Sequence, residues 1–220
     1  MTEWDEYWAK APAAHNQIYD RVAVFYRRHI IRPFLKRYVS GHLQGKAHVL
    51  HAGCGGGQVE EGIIDSGSVV GMDISPNALR LYRRNHPLSD LVLGDITSMG
   101  FRNKSLDAIY NLGVMEHFSE DEIHCILREF CRILKDDGVI VLFWPPRYGA
   151  TVLFLGGVHF LFNTVLGKDI HLHPPEPSLI RSRRHLEELL QGTGFKLVSY
   201  HFGIRDLFTY AVVVLEKTTQ

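Results

Sequence analysis

The chain's strongest constraint is an apolar run, His48-Val49-Leu50-His51-Ala52, that stops at the glycine cluster Gly53-Cys54-Gly55-Gly56-Gly57. Asp73 follows sixteen residues after Gly57, at the end of the next apolar run, Val69-Val70-Gly71-Met72. An apolar run ending in glycines reads as a parallel strand, a tight turn and a helix. Glycine is needed where the backbone must turn sharply and let a ligand approach it. A carboxylate at the second strand's end can accept both hydroxyls of a ribose. Together the two features describe a site for a nucleoside cofactor.

The glycine spacing narrows the cofactor. A dinucleotide fingerprint is G-x-G-x-x-G, with a helix N-terminus facing a pyrophosphate. Here the glycines at 53, 55 and 57 give G-x-G-x-G, and Gln58 occupies the position of the third dinucleotide glycine. An NAD(P) oxidoreductase is therefore disfavoured. The pattern resembles motif I of the class I S-adenosylmethionine (SAM) methyltransferases, and the resemblance continues in order. Leu91-Val92-Leu93-Gly94-Asp95-Ile96 looks like the third strand and its acidic tip. Ser105–Asn111 looks like the fourth strand, running into Gly113-Val114-Met115-Glu116-His117-Phe118, which is similar to the "LEHF" form of motif IV in small-molecule and lipid-headgroup methyltransferases. Residues 128–138 match the following helix and its glycine-ended turn into strand five.

That resemblance implies a Rossmann-like α/β domain and SAM as cofactor. Carried onto this chain, the cofactor-binding set is His51, Gly53, Cys54, Gly55, Asp73, Ile74, Asp95, Ile96, Leu112 and Gly113. Asp73 would hold the ribose and Asp95 the adenine amino group, with Ile74 and Ile96 against the ring. Leu112 and Gly113 would lie along the methionine arm. One position departs from the family, which normally has an acid where this chain has His51.

The pattern predicts strands near 47–52, 68–72, 90–93, 106–111 and 138–144, alternating with helices near 57–66, 75–85, 119–135 and 181–192. The runs 196–203 and 207–215 should form a closing antiparallel pair. The expected fold is a seven-stranded, mostly parallel sheet with an antiparallel last strand and helices on both faces. Residues 1–220 read as a single domain, with 1–45 a helical cap that Pro33 kinks or divides, and 145–180 a substrate-side insertion.

Composition weighs against some partners. Lys plus Arg equals Asp plus Glu at 24 each, so no bulk positive field draws in nucleic acid. The three cysteines form no disulfide framework and point to a cytoplasmic location. His171 and His173 lack further ligands at metal spacing, and no metal is expected.

Methyl transfer from a sulfonium needs alignment and dryness more than side-chain chemistry. His117 is the candidate proton acceptor, because its ordinary pKa lies near neutrality; the plain alternative is that Glu116-His117 starts the next helix and holds its loop. Tyr7, Trp8 and Tyr19 are candidates to close over the cofactor. The apolar stretch 151–162 points to a small or lipophilic acceptor if it forms a lid. If it is exposed, the basic N-terminal helix beside it gives peripheral contact with an anionic membrane. The competing reading is a catalytically inactive SAM-binding regulatory or partner subunit, which His51 and the lack of an evident base keep open.

Overall fold

The computed structural model describes residues 3–10, 25–43, 45–46, 48–59, 68–159 and 176–218. Seven strands form one sheet: β1 (His48–Ala52), β2 (Ser68–Asp73), β3 (Asp90–Leu93), β4 (Leu106–Leu112), β5 (Leu134–Trp144), β6 (Phe195–His201) and β7 (Ala211–Lys217). Their spatial order is β3-β2-β1-β4-β5-β7-β6, and only β7 runs against its neighbours. The chain leaves β1 toward one edge and returns through β4 toward the other. Crevices for ligands form at such a reversal, beyond the carboxyl ends of the strands.

The described helices are α1 (Glu3–Lys10), α2 (Arg32–Leu43), α3 (Pro76–Asn85), α4 (Glu120–Ile133), α5 (Ala150–His159) and α6 (Arg183–Leu189). Side chains alternate across the strands and feed two cores. Leu50, Ile109, Ile140, Leu142 and Val213 pack on Ile126 and Phe130 of α4 and on Leu186 of α6. Val49, Tyr110, Val141, Phe143 and Val212 pack on Phe34, Leu35 and Val39 of α2. With both faces covered, the central strands read as almost continuous apolar runs.

The helix starts follow local chemistry. The Ser75 hydroxyl accepts the Ala78 amide ahead of α3, with Pro76 in the first turn. Ser119 and Glu122 form a reciprocal capping box at α4. The Pro33 expectation resolves as a π-helical turn, Arg27–Ile31, continuous with α2, in which the Arg32 amide donates to the Arg27 carbonyl. Proline has no amide hydrogen and its ring crowds the preceding turn, so the ladder widens rather than breaks.

Three boundaries differ from expectation. Strand β5 begins at Leu134, directly after α4, instead of at 138. Leu106 pairs with Leu134 and Ala108 with Val139, so Lys135–Gly138 form an irregularity inside the strand rather than a turn before it. Strand β7 starts at Ala211, because Leu207 and Phe208 both hold left-handed backbone (φ +58°), which cannot continue a strand. Helix α6 is shorter than 181–192 and starts after a Ser182 cap. The expected helix at 57–66 shows only turn geometry at 57–59, and the rest of it lies outside the described residues. Tyr19, His171 and His173 also lie outside them.

Candidate active site

A cavity of about 550 Å³ lies at the carboxyl ends of β1, β2, β3 and β4. Within it the fold gathers His51, Gly53, Cys54, Gly55, Asp73, Ile74, Asp95, Ile96, Leu112, Gly113 and His117, all of which line it.

The glycine loop is bonded to itself and to β2. The Gly53 and Cys54 amides both donate to the Met72 carbonyl (2.8 and 3.0 Å), and the Gly57 amide donates to Cys54 (3.2 Å). The Gly55 amide donates to Asp73 Oδ2 (2.8 Å). Helix α3 braces the outer side, where Asn85 Nδ2 donates to the Gly56 carbonyl (2.7 Å). Most loop amides are thus already engaged, unlike a phosphate-binding loop, whose amides face the ligand.

Asp73 is buried and also accepts the Ser75 amide at Oδ1 (2.9 Å). Burial raises its pKa, while the two backbone donors and the nearby His51 ring counter the rise. Each carboxylate oxygen has capacity for a second donor, as a ribose hydroxyl would supply. Asp95 Oδ1 accepts both the Thr97 amide (2.8 Å) and the Thr97 hydroxyl (2.7 Å), which fixes the carboxylate at the rim. His51 is buried, stacked on the Tyr110 ring with centroids 4.3 Å apart.

Helix α1 closes one wall. Asp5 Oδ1 accepts the Ser75 hydroxyl (2.8 Å) and both the backbone and side-chain N–H of Asn77 (3.1 and 2.9 Å). The Ser75 and Asn77 donors hold the Asp5 carboxyl below the usual carboxylate range. Trp4, Tyr7 and Trp8 line the cavity, and Trp4 meets His117 edge-on at 4.8 Å. A Cβ on Gly55 would stand 2.7 Å from the Trp8 ring, so glycine is what lets that ring cover the loop.

The opposite wall holds residues whose roles the sequence did not disclose. Glu116, in a 3₁₀ turn (Met115–His117) after β4, is only 3% exposed. Its Oε2 has no hydrogen-bond partner among the described residues. Burial, with the Glu176 carboxylate adding to it, pushes the Glu116 carboxyl up to about 8. Glu116 Oε1 and the Tyr210 hydroxyl lie 3.3 and 3.4 Å from one point, the place a Cβ would take on Gly113. Burial raises the Tyr210 hydroxyl, and Glu116 raises it further. Arg27 also reaches the cavity and donates to Gln58 Oε1 (2.8 Å). Glu116 stood inside a recognised motif, but Glu176 and Tyr210 carry no local signal.

Among the described lining residues, five acids (Asp73, Asp95, Glu116, Glu122 and Glu176) face one arginine and no lysine. That acceptor-rich lining suits a ligand with cationic groups, hydroxyls and an amine, such as SAM, and opposes a pyrophosphate.

Comparison with known proteins agrees with this chemistry. A family model described as a methyltransferase domain matches residues 50–142. An uncharacterised methyltransferase of Synechocystis is 28% identical over 70% of this chain and 68% of its own length. A ubiquinone biosynthesis O-methyltransferase of Coxiella burnetii is 26% identical over 67% of each chain. Two further curated relatives match over only about half of their own lengths. The solved structure of a SAM-dependent methyltransferase from Leishmania major superposes with a TM-score of 0.68 over 96% of this chain and 80% of that one, at 16% identity. The domain match, these relatives and the shared fold together support a class I SAM-dependent methyltransferase with S-adenosyl-L-methionine as its cofactor.

Proposed function

We propose that this protein transfers a methyl group to a hydroxyl or amine of a small or lipophilic acceptor, and that Glu116 takes the proton the acceptor loses. SAM supplies the activated methyl, and the neutral leaving sulfur makes an in-line displacement the natural course. The chain's own residues bind, orient, exclude water and accept the proton. Asp73 and Asp95 hold the nucleoside end, with Ile74 and Ile96 against its ring. His51, Gly53, Cys54, Gly55, Leu112 and Gly113 line the path toward the acceptor side. Trp8 and Tyr7 exclude water from above.

The observation that carries the reading is Glu116: a carboxyl buried beside Gly113, with one oxygen that has no hydrogen-bond partner among the described residues, and pushed up to about 8 by burial. A base is most effective when its pKa lies near the working pH. His117 lines the same cavity and is the competing proton acceptor. A lipophilic acceptor is supported by the similarity to a ubiquinone biosynthesis O-methyltransferase, with residues 145–180 read as a substrate-side insertion and 1–45 as a cap.

The test starts with calorimetric titration of SAM, followed by labelled methyl transfer to a panel of phenols, catechols and amines with and without alkyl tails. Glu116→Gln and His117→Ala run in parallel, and the substitution that removes the acidic limb of the pH profile, the rise of rate with pH, identifies the base. SAM binding without transfer to any acceptor would overturn the transfer reading and leave a binding subunit.

A further inference from the structure

Helix α5 contains no Asp, Glu, Lys or Arg and has no polar face. A helix apolar all round is normally buried. Here Leu153 and Phe154 are 63% and 69% exposed, and a Cβ added at Gly156 would meet nothing within 4 Å. The Ala150 amide at the start of α5 donates to the Phe208 carbonyl (2.7 Å), which joins the helix to the loop between β6 and β7. That loop presents Ile204, 69% exposed, on a 3₁₀ turn packed against the π turn Arg27–Ile31. Phe25, just ahead of the π turn, is 61% exposed. Exposed apolar groups gathered in this way mark a contact surface rather than scattered surface residues.

The charge on these segments has one sign. Arg28, Arg147 and Arg205 are exposed there. Residues 25–43, 147–159 and 199–210 contain a single acid, Asp206. It is buried, and its Oδ2 accepts the Tyr210 amide (2.6 Å). In a chain of zero net charge, this face is apolar and basic with no exposed acid among these residues. No described helix is long and apolar enough to cross a membrane.

We infer that this face docks on an anionic lipid surface, with α5 and the Ile204 turn entering the headgroup boundary and the arginines meeting lipid phosphates. Non-directional apolar contact ringed by cations is what an interfacial helix uses. A protein partner would call for shaped pockets and paired hydrogen bonds. The face adjoins the cavity through Arg27 and Tyr210, which line it.

The test is sedimentation of the full chain with vesicles of phosphatidylcholine alone or with 30 mol% phosphatidylserine. Binding to the anionic vesicles only is expected, falling at least tenfold as salt rises. Each cation near such a surface is worth about fivefold in affinity, so Arg28→Glu with Arg147→Glu should abolish measurable sedimentation. Leu153→Ser with Phe154→Ser should weaken it at least tenfold. SAM titration and circular dichroism check that each variant is folded, and should the double serine variant misfold, the charge pair and the salt series still decide. No sedimentation with either vesicle overturns the proposal, as does equal sedimentation with both. A concentration-dependent dimer, lost in the serine variant and unaffected by vesicles, would assign the face to a second copy of this chain instead. The readout is binding without turnover, so it stands independently of the acceptor chemistry.

Discussion

The two ends of the cavity are built by opposite means. The cofactor end is woven from short-range contacts: the glycine loop, the Asp73 carboxylate and the start of α3 satisfy one another through backbone hydrogen bonds. The end proposed for the acceptor brings Glu116, Glu176 and Tyr210 together from a turn, a loop and the residue just before β7, and leaves a buried carboxyl oxygen without a hydrogen-bond partner among the described residues. In the proposed reading, the first arrangement binds because it is satisfied and the second reacts because it is not. Unpaired buried polar groups cost free energy, and functional sites are where such costs persist.

The sharpest way to break this comparison is Glu116→Gln. Turnover should fall by roughly 10²–10⁴-fold, the usual span for a positioned base, with the SAM dissociation constant unchanged. Wild-type kcat/KM should rise with pH to a plateau above about 8, the value to which burial pushes this carboxyl. A smaller but opposite signature is expected from Asp73→Ala, which leaves the Gly55 and Ser75 amides without their acceptor. SAM affinity should weaken by about 1–3 kcal/mol, read by calorimetry, with the rate at saturating SAM largely kept. Equal loss of rate and affinity in both variants would show that the two ends are not separable.

Stability gives a third test. Glu116 titrates higher in the folded chain than in the unfolded one, so the folded state holds the extra proton between about 4.5 and 8. Its contribution is therefore present below the unfolded value and is lost as pH rises through that window. Glu116→Gln should flatten the fall, narrowing the gap in melting temperature between pH 5 and pH 8. The mildest effect belongs to Asp5→Ala, which removes the carboxylate bonds from α1 to Ser75 and Asn77 and leaves only the Asn77 side-chain bond to the Asp5 carbonyl. SAM dissociation followed by stopped flow should quicken severalfold, and an unchanged rate would show that the Trp8 wall does not gate the site.

The same contrast explains what the sequence could disclose. Gly53, Gly55 and Asp73 were legible because a strand end, a tight turn and a helix start force particular residue types within a short span. The strands β1 to β4 were legible as apolar runs between turn signals. Glu116 stood in a recognised motif, but nothing local distinguishes a buried acid from a helix-starting one. Tyr210 reaches the site only because β7 inserts between β5 and β6, a pairing across the whole chain. The late start of β7 was hidden as well, since Leu207 and Phe208 adopt left-handed backbone without the glycine that would advertise it.

The acidic lining has a consequence for the direction of turnover. Methyl donation converts a sulfonium to a neutral thioether, so the spent cofactor carries one positive charge fewer than the one that entered. Even with Glu116 holding its proton below about pH 8, the four other acids on the wall against one arginine attract the incoming form more than the outgoing one. Discharge of the product is therefore favoured by the reaction itself. The preference of this site for SAM over its demethylated product should shrink as ionic strength rises, because the charge that separates the two is screened.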